Sequence, residues 1–361
     1  MPARPQACGR KARSVEMTGT GERIVADRGF ALWLGERLGA PGAVPVSFAG
    51  TPAGGGWSNE TIFLDVATRG GVPVRRLVMK MAPTGLSMFR VYDLSREHRC
   101  LKALAAGWPP VPQVVGEDWS GTVVGRPFYV MERVEGLVPA DDRPSFMEAG
   151  FLFDAPAMVQ RKVHDEMIRA LAALQRRDPQ DLGLAALARD AEGATPLARE
   201  LAWLHDLFLW GASSAPQPLI TSAFARAFAT LPEIFDGALS WGDARPANAV
   251  FRDFRLVALL DWDLATLGPR ELDLFWFLEM NAMRARGQPL PGFPGEAEAV
   301  AHYEAVAGVR IREAAWFRHF SALKIAVLML RHLLQRVDAG LLPADHAVLT
   351  DNVALRRLSA L

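Results

Sequence analysis

The sequence predicts an α+β fold in two lobes, a small one built on an antiparallel sheet and a larger, mainly helical one. Three observations predict it. Strand-like runs crowd the stretch before Val134, at Thr61–Ala67, Arg76–Met81 and Pro127–Val134. From Met158 onward apolar residues recur at helical spacing instead, as in Val163, Met167, Leu171 and Leu174. Inside that helical half lies one polar loop, Gly242–Asn248, flanked by the apolar runs Gly237–Trp241 and Arg255–Leu260. The expected divisions are a disordered tail over 1–27, a first lobe over 28–134 and a second over 135–361.

Composition excludes several function classes. A chain of 361 residues holds one large or two medium domains, each with a sizeable core. Lys+Arg and Asp+Glu number 40 each, so the chain is neutral and makes no electrostatic case for nucleic acid or a membrane surface as partner. No apolar run approaches the roughly 18 residues a spanning helix needs. Cys8 and Cys100 are too few for a disulfide framework and lack metal-ligand spacing, so a reducing, cytoplasmic setting is expected. The first residues carry Arg4, Arg10, Lys11 and Arg13 without the apolar core of a secretory signal.

Taken in order, Asp27–Leu38 reads as a short helix with Phe30, Leu34 and Leu38 on one face. A Pro/Gly-rich link then leads to Gly54–Glu60 and the strand Thr61–Ala67. A glycine-rich turn between strands lets backbone N–H groups approach phosphates, although such a cluster by itself is equally a flexible turn. In the strand Arg76–Met81, alternation puts Leu77, Met79 and Met81 on one face and Val78 with Lys80 on the other. That pairing suits a nucleotide, Val78 against the base and Lys80 toward the phosphates. The helix Asp93–Ala106 has Leu94, His98, Leu101 and Ala105 as its buried stripe, with Glu97 half-sheltered at the margin and able to turn to Lys80. His98 reads as a packed helix residue. Pro127–Val134 is a strand, and the link after it, near Glu132–Val134, could present its backbone to a base.

Helices follow at Val159–Arg177, Thr195–Trp210, Ile220–Leu231 and Glu271–Arg286, then at about 296–307, 312–337 and 343–359. Glu271 and Asp273 suit the N-terminal end of a helix dipole, and Trp276, Phe277, Trp316, Phe317 and Phe320 read as core.

The loop carries the chemistry. Asp243 and Asn248 stand five apart, the spacing at which a kinase catalytic loop sets the base that receives a hydroxyl proton and the amide that holds Mg²⁺. Arg245 is two residues past the aspartate, where a transferring phosphate would meet it. Asp261 closes the next apolar run and offers a second carboxylate for a metal. The two runs are expected to form one small hairpin that delivers both carboxylates.

Together these segments resemble the aminoglycoside phosphotransferase-like (choline kinase-like) kinases, and within them the branch associated with acyl-CoA dehydrogenases. The likeness runs from about residue 28 to the end. It rests on Gly55-Gly56-Trp57-Ser58-Asn59, Lys80, Arg96-Glu97-His98, Phe128-Tyr129-Val130-Met131-Glu132, Gly242–Asn248, Asp261–Gly268 and Asp273-Leu274. It implies a two-lobed protein-kinase-like fold and transfer of a phosphoryl group from ATP, with Mg²⁺, to a hydroxyl of a small molecule, for instance a hydroxyacyl-CoA. By the same resemblance Asp243 is the base, Arg245 neutralises the γ-phosphate, and Asn248 and Asp261 bind Mg²⁺, with Asp263 in support. Lys80, held by Glu97, positions the α- and β-phosphates, while Gly55, Gly56, Ser58, Asn59, Val78, Met131, Glu132 and Val134 complete the ATP site. Two positions depart from the family pattern. Trp241 replaces the histidine that opens the catalytic loop, so packing is expected to brace it, and Gln175 replaces a histidine after the first large-lobe helix. A catalytically weak nucleotide-binding pseudokinase and an antibiotic (macrolide or aminoglycoside) kinase stand as the competing readings.

Overall fold

The computed structural model describes residues 19–52, 59–67, 75–84, 87–141, 144–211 and 217–361. Gly55, Gly56 and Ser58 of the expected glycine turn lie outside the described residues. Two compact units emerge from the packing, Met1–Lys102 with Pro112–Val134, and Ala103–Val111 with Glu135–Leu361.

In the first unit the helix α1 (Arg28–Arg37) begins where Asp27 Oδ1 accepts the Phe30 amide at 2.8 Å. Five strands follow, β1 (Val46–Gly50), β2 (Glu60–Val66), β3 (Arg75–Met81), β4 (Val114–Asp118) and β5 (Phe128–Glu132), in the antiparallel order β1-β2-β3-β5-β4. Alternation sorts their faces as expected. Ile62, Leu64, Val66, Leu77, Met79, Met81, Phe128 and Val130 bury one face against Phe30 and Leu34. On β3, Val78 and Lys80 take the opposite phase, Val78 paired with Phe63 and Met131, Lys80 with Thr61 and Tyr129. One expectation fails here. Residues 19–26 are helical and Ile24 enters the core, so the tail read as disordered over 1–27 does not reach Asp27.

The second unit is mainly helical: α3 (Ala157–Leu174), α4 (Pro196–Gly211), α5 (Pro218–Ala229), α6 (Glu271–Ala285), α7 (Glu296–Ala307), α8 (Ala314–Asp338) and α9 (Val353–Ser359), numbered after α2 (Leu94–Leu104). Almost every side of α6 is buried, and the helix against which α4, α5, α6 and α9 all pack is α8. The expected helix over 343–359 is shorter. A 3-10 turn, Ala347–Leu349, comes first, and α9 starts only where Asn352 Oδ1 accepts the amides of Ala354 (3.0 Å) and Leu355 (3.1 Å).

The strands around the polar loop also differ from the expected single hairpin. β6 (Ala238–Ser240) pairs with β9 (Thr266–Gly268), and β7 (Ala249–Arg252) pairs with β8 (Arg255–Leu259), giving two separate antiparallel ribbons. Three-residue strands such as β6 and β9 are too short for period-2 alternation to announce them, and their partners are distant in sequence. Among the described residues no helix is long and apolar enough to cross a membrane.

A buried histidine makes acid stability testable. His164 on α3 is 1% exposed and lies between the rings of Phe277 and Phe293, at 5.2 and 5.3 Å. Burial depresses its pKa to about 4, despite Asp165 beside it. The unfolded imidazole binds its proton near pH 6.5, so the neutral native form contributes stability above that pH and loses it as the pH falls toward 4. The full span is worth on the order of 3 kcal/mol. Melting temperatures measured from pH 7 to 4.5 should fall, and the fall should shrink in His164→Gln. An unchanged slope in the variant would assign the acid sensitivity elsewhere.

Candidate active site

Lys80 and Glu97 meet in the first unit. Lys80 Nζ donates to both carboxylate oxygens of Glu97, at 2.9 and 2.7 Å, and both side chains are buried. Glu97 is therefore fully enclosed rather than half-sheltered, because α2 presses its Leu94–Leu101 face inward. A buried pair of this kind is stable only with close geometry on both oxygens, which the two contacts provide. His98 packs beside it as expected, burial lowering its pKa while Glu117 at 3.3 Å opposes that shift. Asn59 is buried at the start of β2, its carbonyl oxygen accepting the Thr61 hydroxyl at 2.8 Å. Met131 lies across from Val78. The amides of Glu132 and Arg133 donate to the carbonyls of Gln113 and Arg76, both at 2.8 Å, so these two N–H groups of the link are engaged in the sheet.

The polar loop lies in the second unit. Pro246 opens a 3-10 turn, Pro246–Asn248, which folds the loop back so that Asn248 reaches Asp243. The Asn248 amide donates to Asp243 Oδ2 at 2.8 Å and to its backbone carbonyl at 3.1 Å. Arg245 stands 3.0 Å from the same carboxylate oxygen. On the other oxygen, Trp276 donates its indole N–H at 2.9 Å. Trp276 was expected to be plain core. It is buried, yet it also fixes the carboxylate, and α6 alone decides this by turning that face to the loop. Burial raises the Asp243 pKa; Arg245 opposes, and Asp261 and Asp141 add to the rise. Burial works against the Arg245 charge, but Asp243, Asp141 and Asp261 outweigh it, so its pKa is raised.

Asp141 was not foreseen. It pairs with Arg245 and also takes Arg284 in a fork, Nε at 3.0 Å and Nη2 at 2.9 Å. A loop aspartate with no periodic pattern around it gives no sequence signal of this role.

Asp273 holds the loop backbone. Its buried carboxylate accepts the Ser240 hydroxyl and the amides of Trp241 and Gly242, each at 2.8 Å. Burial raises its pKa, and these three donors counter the rise. Gln175, the second departure from the family pattern, donates to Asp273 at 3.3 Å and to the Arg270 carbonyl at 3.1 Å, while its own carbonyl accepts the Tyr303 hydroxyl.

Trp241 does more than pack. It is fully buried against Trp262, rings 5.9 Å apart, and its indole N–H donates to the Leu260 carbonyl at 2.8 Å. Leu260 in turn donates its amide to the Asn248 carbonyl at 2.8 Å. The expectation of bracing by packing alone is corrected: one indole donor ties the loop to the residue before Asp261. Asp261 itself adopts φ +59°, a left-handed conformation that aspartate tolerates better than most residues. Asp261 and Asp263 are both half-buried.

A model of the phosphotransferase enzyme family matches residues 49–316. The chain belongs to that family. Curated relatives include an acyl-CoA dehydrogenase family member 11 from Gallus gallus, 28% identical over 253 residues, covering 63% of this chain and 28% of that one. An acyl-CoA dehydrogenase family member 10 from Mus musculus is 27% identical over 220 residues, covering 59% of this phosphotransferase and 18% of that protein. The chain thus spans about a quarter or less of the length of these relatives. Among solved structures, an aminoglycoside phosphotransferase-like protein from Ralstonia eutropha superposes with TM-score 0.66 at 23% identity, covering 92% of this chain and 93% of that one. A thermostable mutant of the aminoglycoside phosphotransferase APH(4)-Ia, in complex with AMP-PNP and hygromycin B, superposes at 0.55 with 14% identity, covering 91% and 96%. The phosphotransferase therefore has the α+β fold of the aminoglycoside phosphotransferases.

Proposed function

We propose that this phosphotransferase moves the γ-phosphoryl group of ATP, with Mg²⁺, to a hydroxyl of a small molecule, and that Asp243 receives the hydroxyl proton. The observation that carries the reading is Asp243 itself: a buried carboxylate fixed by Asn248 and Trp276, with Arg245 at 3.0 Å. A base needs a fixed lone pair at the acceptor, and phosphoryl transfer needs little else from the protein beyond positioned cations. Asn248 and Asp261 fit Mg²⁺ because both offer the hard oxygen donors it takes, and the 2.8 Å bond from the Leu260 amide to the Asn248 carbonyl ties their backbones together. When bound, the metal neutralises charge on the phosphates. Asp263, two residues past Asp261 and half-buried like it, is assigned a supporting place at the metal site or the acceptor. In the first unit Lys80, oriented by Glu97, is assigned to the α- and β-phosphates, and Val78 and Met131 to the base, with Gly55, Gly56, Ser58 and Asn59 at the phosphates. With the Glu132 and Arg133 amides engaged in the sheet, Val134 is the link residue assigned to adenine.

The acceptor we favour is a hydroxyacyl thioester such as a hydroxyacyl-CoA, supported by relatives named for acyl-CoA dehydrogenases. The indole bond from Trp241 to Leu260 favours a working loop over a pseudokinase, since it supplies a donor where the family has histidine. The cytoplasm, as the compartment of such a substrate, belongs to the same proposal.

The direct test incubates the protein with Mg²⁺, γ-labelled ATP and a panel of hydroxyacyl-CoAs, choline, sugars, macrolides and aminoglycosides. Label is expected on a hydroxyacyl-CoA. Transfer only to an antibiotic would move the protein to the competing class. The nucleotide half is tested separately by thermal shift. ATP with Mg²⁺ at about 100 times its Kd should stabilise the parent by about 2.7 kcal/mol. Lys80→Ala should lose most of that shift, and equal shifts in both proteins would remove Lys80 from the site.

A further inference from the structure

We propose that Arg189, Glu200 and Lys324 form a buried charged triad that positions the catalytic loop through two separate arms. Glu200 on α4 is fully buried. Its Oε2 accepts Arg189 Nε at 2.6 Å and its Oε1 accepts Lys324 Nζ at 2.9 Å, with both cations also buried. Burying three charges contributes little net stability compared with apolar side chains of the same volume, so the cluster calls for a reason beyond stability. What its ends touch supplies one.

The first arm runs through Arg189. Its guanidinium lies 3.7 Å over the Trp203 ring, and Nη2 donates to the Leu264 carbonyl at 3.0 Å. That same carbonyl oxygen is the wall behind Gly242, where an added Cβ would collide with it, and where φ of +86° also calls for glycine. Arg189 thus fixes the surface on which the residue before Asp243 sits. The second arm runs through Lys324 on α8, whose ammonium lies 5.2 Å from the Trp276 ring centroid. Trp276 is the residue that donates to Asp243 Oδ1 at 2.9 Å. Each oxygen of Glu200 serves one arm, so neutralising this single carboxylate loosens both. The charge of Lys324 also favours the ionised form of Asp273, the brace of the same loop.

These are positioning residues; none of the three contacts Asp243 directly. Their test rests on the phosphotransferase reading only for its activity arm, and its spectral arm needs no substrate. In ¹H–¹⁵N spectra of the full chain, the Trp276 indole (assigned through Trp276→Phe) and the Gly242 amide are followed in Glu200→Gln. Gln217→Leu, which breaks a buried bond of 3.0 Å to the Leu349 carbonyl, is the control for general destabilisation. We expect both signals to shift and to exchange with solvent at least about tenfold faster in Glu200→Gln, and neither to move in the control. Lys324→Met should move the Trp276 indole more than the Gly242 amide, which feels the lost charge only through the Asp273 carboxylate, and it decides the matter if Glu200→Gln does not fold. Unmoved signals, or equal movement in Gln217→Leu, would overturn the triad. Once an acceptor is in hand, kcat should fall by about tenfold or more in Glu200→Gln while KM for ATP stays within about twofold. Loss of binding with unmoved signals would count against the triad; moved signals without any phosphoryl transfer in the parent would count only against the function.

Discussion

Asp243→Asn is expected to lower turnover by about 10²–10⁴-fold, the worth of a general base, while Mg²⁺–ATP affinity stays close to the parent's. The substitution keeps the shape of the side chain and removes the basic oxygen. Asn248 and Trp276 both donate to Asp243 at present, and an amide can still accept from one of them, so the loop should hold its path. Asp261→Asn makes the contrast. There a negative ligand is taken from a hard cation, so Mg²⁺-dependent ATP binding itself should weaken, with partial recovery in excess Mg²⁺. Calorimetry for binding and a coupled assay for turnover separate the two. If Asp243→Asn abolishes binding and Asp261→Asn leaves it intact, the two roles are reversed.

Asp273→Ala is expected to be the most destabilising single change near the loop. It leaves the Ser240 hydroxyl and the Trp241 and Gly242 amides without their acceptor in a buried place. Each orphaned donor costs roughly 1–3 kcal/mol. Removing a carboxylate whose own burial raises its pKa returns part of that, so the net loss should be on the order of 3–5 kcal/mol. Turnover should fall as well, because the same amides set the backbone one residue before Asp243. Urea unfolding measures the first effect and the coupled assay the second. A loss below about 1 kcal/mol would mean that water or a neighbour replaces the carboxylate, and the brace would have to be sought in Trp241 and its bond to Leu260.

How much of this was legible beforehand follows from the range of the interactions. The alternation of β3, the helical face of α2 and the D-x-x-x-x-N spacing are local patterns, so Lys80, Glu97, Asp243, Arg245 and Asn248 could be read directly from neighbours in the chain. A single turn, Pro246–Asn248, then brings Asn248 onto Asp243, and its proline already marks it. The pairing of Lys80 with Glu97 spans only a strand and a helix, and it too could be argued from phase. Trp241 could be recognised as a departure, but not what its indole would touch.

Other features depend on which distant surfaces meet. Asp273 looked like an ordinary acid at a helix start, and only the packing of α6 under the loop turns its carboxylate to the three donors of Ser240, Trp241 and Gly242, with Gln175 as a fourth. Asp141 meets Arg245 and Arg284 across more than a hundred positions, where no periodicity operates. The strand pairing went astray for the same reason: β6 finds β9 rather than the next apolar run, and a three-residue strand has too little pattern to reveal its partner. The sequence by itself determined the family, the two-part α+β order and the candidate residues proposed for phosphoryl transfer, because those rest on residue type and local period. The tertiary structure alone decided which groups hold them still, because a buried donor or acceptor takes whatever partner the packing brings within about 3 Å.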